Sequence, residues 1–233
     1  RIKKGHRVGA SDELTLARAP HDDEAMRAHP EDAEIEILFE DETLLAINKE
    51  SGLPSHPLRA GELGCAANRA VHHAPALARI GEDPREAGLV HRLDRFTSGV
   101  LLFAKTPEAW AALREQFSNK SIQKSYLALV QERPIGSECE LPLVQRGQRA
   151  RVDGSGLDAL TRWELVREGH GHCLMRCFAS TGRMHQIRAH LSECGSPIVG
   201  DTLYGSEKTH PDGYFLHAES LRLSHPSTGN ELL

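Results

Sequence analysis

The feature that most constrains this chain is a pair of short apolar runs, Val100-Leu101-Leu102-Phe103-Ala104 and Tyr126-Leu127-Ala128-Leu129-Val130. Each has the length of a strand and few polar groups, the pattern of strands buried inside a sheet. Between them, Thr106-Pro107-Glu108 supplies a helix start: a capping hydroxyl, a proline at the first helical position and an early acid. Trp110, Leu113 and Phe117 then recur at helical spacing, giving that helix one apolar face. Upstream, IEILFEDETLLAINKESG reads as two strands joined by an Asp-Glu-Thr turn and closed by Ser51-Gly52, and residues 63–73 as a short Ala-rich helix. Downstream, residues 131–160 predict loops and short edge strands, and residues 172–180 a strand. Met184–Cys194 predicts a helix stopped by Gly195 and Pro197. Its apolar stripe is Met184, Ile187, Leu191 and Cys194, with His185, Arg188 and Ser192 on an adjoining face. Strands and helices alternate without the regular beat of βαβ units, so the expected class is α+β rather than a Rossmann fold.

A chain of 233 residues can bury a core as one large domain, or one domain plus a small appendage. Residues 1–33 are polar and irregular and end in the acidic stretch HDDEAMRAHPEDAE; they predict a linker or the remnant of a preceding module, with the globular domain over 34–233. The chain opens on Arg1-Ile2-Lys3-Lys4, without an initiator Met or an apolar signal region, and reads as a piece of a longer protein. No apolar run approaches the roughly 20 residues that span a bilayer. A net charge of −5 argues against a protein that is basic all over. A local basic face is still allowed: residues 22–42 are acid-rich, whereas 114–126 and 176–190 are rich in Arg, Lys and His. The five cysteines form no familiar framework, and predict a reduced, cytoplasmic setting. His170, His172, Cys173 and Cys177 invite a zinc reading. The strand-like alternation of HCLMRCFAS and the lack of a second Cys/His pair at ligand spacing argue against it, so no metal is expected.

Several familiar sites are absent: no phosphate-cradling Gly-rich loop, no Gly-x-Ser-x-Gly elbow, no His-Glu-x-x-His pair. What remains is three polar clusters. In HRLDRFTSG, Asp94 lies between Arg92 and Arg95. Nearby arginines favour an ionised carboxylate, suited to a nucleophile or electrostatic stabiliser; the alternative is an ion pair that ties the loop down. Tyr126 is preceded by Lys120, Gln123, Lys124 and Ser125, which suits a backbone-tracking surface with a stacking platform, or a core tyrosine with a satisfied hydroxyl. In STGRMHQIRAHL, Arg183, His185 and Arg188 crowd a helix start, where anions are welcome; the alternative is a solvated basic face.

Together the clusters carry a resemblance. HRLDRFTSGVLLFAKT closely resembles the signature of the RluA-type pseudouridine synthases, and four further stretches resemble that family's landmarks in order: ILFEDETLLAINKESGLPSHP, QFSNKSIQKSYLALV, TGRMHQIRAHLSECGSPIVGDTLYG and LHAESLRLSHPSTG. The resemblance runs from about Ile35 to Asn230. It implies the pseudouridine synthase catalytic fold, a mixed, mainly antiparallel sheet flanked by helices and loops. It also implies an isomerase that converts uridine in ribosomal or transfer RNA to pseudouridine without a cofactor, as a monomer and away from any membrane. By the same resemblance Asp94 matches the catalytic aspartate, Tyr126 the tyrosine that stacks on the target base, and Arg188 the arginine that pairs with the aspartate. Arg92, Arg95 and Arg183 fall on further motif positions, and with Lys124 and His185 they are the expected RNA-binding residues. The chain departs from the family at Glu50, where proline is usual, and at Ile122-Gln123, where a basic residue is frequent. Residues 1–20 resemble the end of an alpha-L RNA-binding module. Two other readings compete: a non-catalytic RNA-binding domain on the same fold, and a glycosidase or nucleosidase acting through Asp94, which would want a second acidic partner.

Overall fold

In the computed structural model, which describes residues 26–207 and 209–233, the two apolar runs occupy the interior of one sheet. The strands in chain order are β1 (Glu36–Glu40), β2 (Leu44–Lys49), β3 (Ser98–Ala104), β4 (Gln123–Val130), β5 (Glu138–Cys139), β6 (Leu143–Arg146), β7 (Arg149–Val152), β8 (Thr161–Gly169), β9 (His172–Ala179), β10 (Leu216–Ser224) and β11 (Glu231–Leu232). The helices are α1 (Ala66–His73), α2 (Pro107–Ser118) and α3 (Gln186–Glu193). Among the described residues nine strands form one sheet in the order β1-β2-β3-β10-β4-β9-β8-β5, with β11 pairing to β10; β6 and β7 form a separate hairpin. All pairings are antiparallel except β3 with β10. The expected α+β class and the mixed, mainly antiparallel sheet are both present.

The apolar run of β3 follows from burial on both faces. Leu101 and Phe103 pack with Leu45, Ile47 and the small residues Ala66, Ala67 and Ala70 of α1. Leu102 and Ala104 pack on the opposite face with Leu44, Ala46 and Leu113 of α2. That helix starts where its cap predicts: the Thr106 hydroxyl accepts from the Ala109 amide at 3.2 Å. In β4, Ala128 and Val130 join Met175, Cys177, Ile187 and Leu191 in a second core. Cys173 and Cys177 both point into that core, whereas His172 bonds the His170 carbonyl at the β8–β9 turn. Ile122 is buried against α2, so the departure from a basic residue there serves packing. At the other departure, the Glu50 carboxylate pairs with Arg69 of α1 at 2.8 Å.

The two halves of the sheet meet at β3 and β10, which pair over only His217–Ser98 and Ala218–Gly99. Gly99 sits at φ +106, and a Cβ there would overlap the Ala218 carbonyl. Only glycine allows this approach.

Within the stretch 1–33, read as a linker or module remnant, Ala28 is buried beside α1, its amide bonds the Pro84 carbonyl, and the Glu31 amide bonds the Asn68 carbonyl. The expected module remnant over 1–20 lies outside the described residues. Helix α3 starts at Gln186 rather than Met184 because His185 takes a left-handed φ of 53°. The Gln186 side chain closes the preceding turn by accepting from the Arg183 amide at 3.1 Å and the Thr181 hydroxyl at 2.7 Å. Met184 accordingly leaves the predicted stripe and packs near Tyr204.

Candidate active site

A cleft of about 730 Å³ opens where the loop before β3, strand β4 and the start of α3 converge. Asp94, Tyr126 and Arg188 all line it, as do Arg92, Lys124, Arg183 and His185. Arg95 does not: its Nε donates to the Gly52 carbonyl at 2.9 Å and its guanidinium lies over the Phe96 ring.

The backbone on both sides of Asp94 is fixed by the loop after β2. The Ser55 hydroxyl donates to the Leu93 carbonyl at 2.7 Å and accepts from the Leu93 amide at 3.1 Å. The Lys49 ammonium, 1% exposed, donates to the carbonyls of Glu50, Leu53 and Arg95 at 2.9, 2.7 and 3.1 Å. Burial pushes the Lys49 amine down to about 8, against the opposing pull of Asp94 and Glu50. Lys49 carries no obvious functional signal in sequence, because a lysine at the end of a strand usually reaches water.

Neither flanking arginine bonds the carboxylate between them. Arg92 instead bonds His56 Nε2 at 3.0 Å. The partner of Asp94 comes from 94 residues away: Arg188 Nη1 donates to Asp94 Oδ2 at 2.9 Å. Arg188 is itself gripped by Asp201, with Nε to Oδ2 at 2.7 Å and Nη2 to Oδ1 at 3.0 Å. The Arg188 side chain is 6% exposed, Asp201 1% and Asp94 29%. One guanidinium therefore bridges a fully buried carboxylate and one that faces the cleft. Sequence reasoning missed Asp201 and Tyr214, whose hydroxyl donates to Asp94 Oδ2 at 3.2 Å. Asp201 follows Val199-Gly200 and reads as a loop acid. Tyr214 follows a stretch of turn residues with no periodicity.

Tyr126, on a central strand of the sheet, lines the cleft and packs against both cores. Burial, then the charge of Asp94, pushes its phenol up to about 12, so the hydroxyl keeps its proton at neutral pH. His185 Nε2 stands 3.6 Å from Asp94 Oδ2, and Nδ1 bonds the Tyr204 hydroxyl at 3.0 Å. Burial outweighs the carboxylate's pull and lowers the His185 pKa. Its left-handed backbone is the kind of local strain that concentrates at functional sites. Lys124 Nζ donates to the Thr181 carbonyl at 3.0 Å, and burial, then Arg183, lowers its pKa to about 8. Arg114, Lys120 and Gln145 extend the polar wall, the last near the turn of the β6–β7 hairpin, which also carries Arg146, Arg149 and Arg151. Among the described residues no group of His, Cys, Asp and Glu has the geometry to hold a metal ion. No described helix is long and apolar enough to cross a membrane.

The arrangement offers an oriented carboxylate, a flat aromatic surface and a cationic wall in one cleft. Comparison with known proteins accords with it. The family model for RNA pseudouridylate synthase matches residues 43–193. A Xylella fastidiosa protein named ribosomal large subunit pseudouridine synthase D is 38% identical over 217 residues, covering 85% of this chain and 64% of the relative's length. A Zymomonas mobilis protein of the same name is 36% identical over 236 residues, covering 94% of this chain and 72% of that relative. This chain thus spans about two thirds of the length of such relatives. Among solved structures, human RNA pseudouridylate synthase domain containing 4 superposes with a TM-score of 0.67 at 25% identity, covering 84% of this chain and 86% of that one. The likeness to human RNA pseudouridylate synthase domain containing 1, with a TM-score of 0.68 at 22% identity over 92% of this chain and 85% of that one, is one of fold. With a family match over most of the globular part, and Asp94, Tyr126 and Arg188 gathered in one cleft, this chain belongs to the RNA pseudouridylate synthases of the RluA type.

Proposed function

We propose that this chain isomerises uridine in structured RNA to pseudouridine, with Asp94 acting on the ribose of a flipped nucleotide. The observation that carries this is the Asp94–Arg188 pair at 2.9 Å in the cleft that Tyr126 also lines. The reaction conserves every atom of the nucleotide. The bond from N1 to the anomeric carbon breaks, a bond from C5 to that carbon forms, C5 loses a proton and N1 gains one. Asp94 enters as the nucleophile on the anomeric carbon or as a base on the sugar, and both routes begin from an oriented carboxylate. Arg188 orients it. The Tyr126 ring receives the uracil, which must leave its stack to be reached. Arg92, Lys124, Arg183 and His185 contact RNA along the cleft, and Arg95 does so beside it. No cofactor is required, since nothing is oxidised and no group is imported.

Ribosomal and transfer RNA both fit, and the name borne by the bacterial relatives favours ribosomal large-subunit RNA. Residues 34–233, with 26–33 packed against them, form the catalytic unit, which acts as a monomer. The free cysteines fit a cytoplasmic setting. The geometry weakens the glycosidase reading. The acid nearest in the network, Asp201, has both oxygens on Arg188 and is buried, so it offers no free general acid.

The test is incubation with total RNA from a strain lacking the gene, followed by pseudouridine mapping. New pseudouridine at discrete positions is expected, and none with Asp94→Asn, whose RNA affinity stays within about twofold. Full activity in Asp94→Asn, or binding without modification by the unaltered chain, overturns the assignment.

A further inference from the structure

The carboxylate of Asp94 is held asymmetrically. Its Oδ2 atom accepts from Arg188 Nη1 at 2.9 Å and from the Tyr214 hydroxyl at 3.2 Å, and faces His185 Nε2 at 3.6 Å. Among the described residues no hydrogen bond reaches Oδ1, although the side chain lies on the cleft wall. We propose that Tyr214 is a positioning residue that, together with Arg188, anchors Asp94 through Oδ2 and leaves Oδ1 as the oxygen presented to the substrate. This rests on the isomerase reading above.

Tyr214 touches both members of the pair. Its hydroxyl meets Asp94, and its ring centroid lies 4.1 Å from Arg188 Cζ, close enough for a cation–π contact. Burial, with Asp94 adding to it, pushes its phenol pKa up, so the hydroxyl stays a donor. The Thr97 hydroxyl, 3.2 Å away, then donates to the Tyr214 oxygen, a relay of donors ending on the carboxylate. A carboxylate held by a single donor can swing about it. A second donor on the same oxygen fixes the carboxyl plane and with it the direction of the free oxygen.

The fold places Tyr214 with care. Gly200, at φ +86, lies so close to the Gly213 carbonyl that a Cβ would overlap it. This contact sets Asp201 and Tyr214, the next residue on each strand of chain, around the same guanidinium. The Phe96 ring meets the Tyr214 ring edge-on at 6.1 Å, and the Ser51 hydroxyl donates to the Asp212 carbonyl at 2.8 Å. The loop that fixes Asp94 therefore also fixes Tyr214. A core tyrosine merely satisfying its hydroxyl would not need the carboxylate, since Thr97 is already within reach.

The test uses the full chain labelled with ¹³Cγ-aspartate, the Asp94 signal being assigned by its loss in Asp94→Asn. Tyr214→Phe keeps the ring over Arg188 and removes only the hydroxyl. Removing a donor to the carboxylate is expected to move the Asp94 ¹³Cγ signal at neutral pH from its position in the unaltered chain, with Lys49, Tyr126, His185 and Arg188 still facing the carboxylate. Thr97→Val is expected to move it the same way by less, and serves if Tyr214→Phe fails to fold. In single-turnover assays on transcribed large-subunit RNA, Tyr214→Phe is expected to slow pseudouridine formation about ten- to a hundredfold with RNA affinity unchanged. An unaltered Asp94 ¹³Cγ signal, or a loss that lies wholly in RNA affinity, overturns the proposal. If the unaltered chain forms no pseudouridine in any RNA, the isomerase reading fails instead, and the ¹³Cγ signal alone still decides whether Tyr214 holds Asp94.

Discussion

One guanidinium serving two carboxylates concentrates the energetics of the site on Arg188. Desolvating a charge this deeply is costly, and the cost is met only while both Asp201 oxygens and Asp94 stay in place. Asp201→Asn keeps the shape but removes the buried charge. It is expected to lower stability by about 3 kcal/mol, read from the urea midpoint, because breaking a buried pair leaves the other charge exposed to a poor solvent. Pseudouridine formation should fall with it, since Arg188 would no longer be held against Asp94. At this scale the sequence was legible where motif residues matched a family: Asp94, Tyr126 and Arg188 do share one cleft. It was illegible for Lys49, Asp201 and Tyr214. Their meaning lies in partners brought together by folding, and no local spacing records that Tyr214 lies under Arg188.

Strands and helices followed their local signals closely where burial is two-sided or a cap is present. The continuous apolar run of β3 meant two covered faces, and Thr106-Pro107 marked the start of α2. Boundaries failed where a side chain outcompeted the backbone. Gln186 took the Arg183 amide and Thr181 hydroxyl, and α3 began two residues late. The packing of residues 26–33 was hidden as well, because a polar segment can dock through backbone hydrogen bonds that composition does not reveal. The seam between β3 and β10 gives the sharpest prediction for an element. Gly99→Ala must push Ala218 aside in a positive-φ position, and is expected to cost about 3 kcal/mol in denaturant unfolding. Tyr126 sits opposite Ala218, so a fall in activity beyond the loss of folded protein is also expected.

Over the whole molecule the net charge is −5, yet Arg92, Arg114, Lys120, Lys124 and Arg183 all line the cleft. A cationic groove on an acidic body directs RNA to one face and repels it from the rest. Lys124 makes that groove sensitive to mild alkali. Its amine, held down to about 8 by burial and then by Arg183, is charged below that pH and neutral above it. RNA affinity, measured by filter binding, is therefore expected to weaken as pH rises from 7 to 9. Lys124→Arg, whose charge does not titrate there, should flatten that dependence; an equally steep profile in the variant would show that Lys124 carries no RNA contact.

The place of β10 has a consequence for how the molecule comes into being. This strand lies between β3 and β4, yet it is built from residues 216–224, after every segment that supplies the cleft apart from its own Leu216. Until it docks, the halves bearing Asp94 and Tyr126 have no shared backbone hydrogen bonds to set their distance. Such dependence on contacts far apart in sequence makes for slow, all-or-none folding. The cleft would accordingly become competent in a single late step, once residues 216–224 have docked.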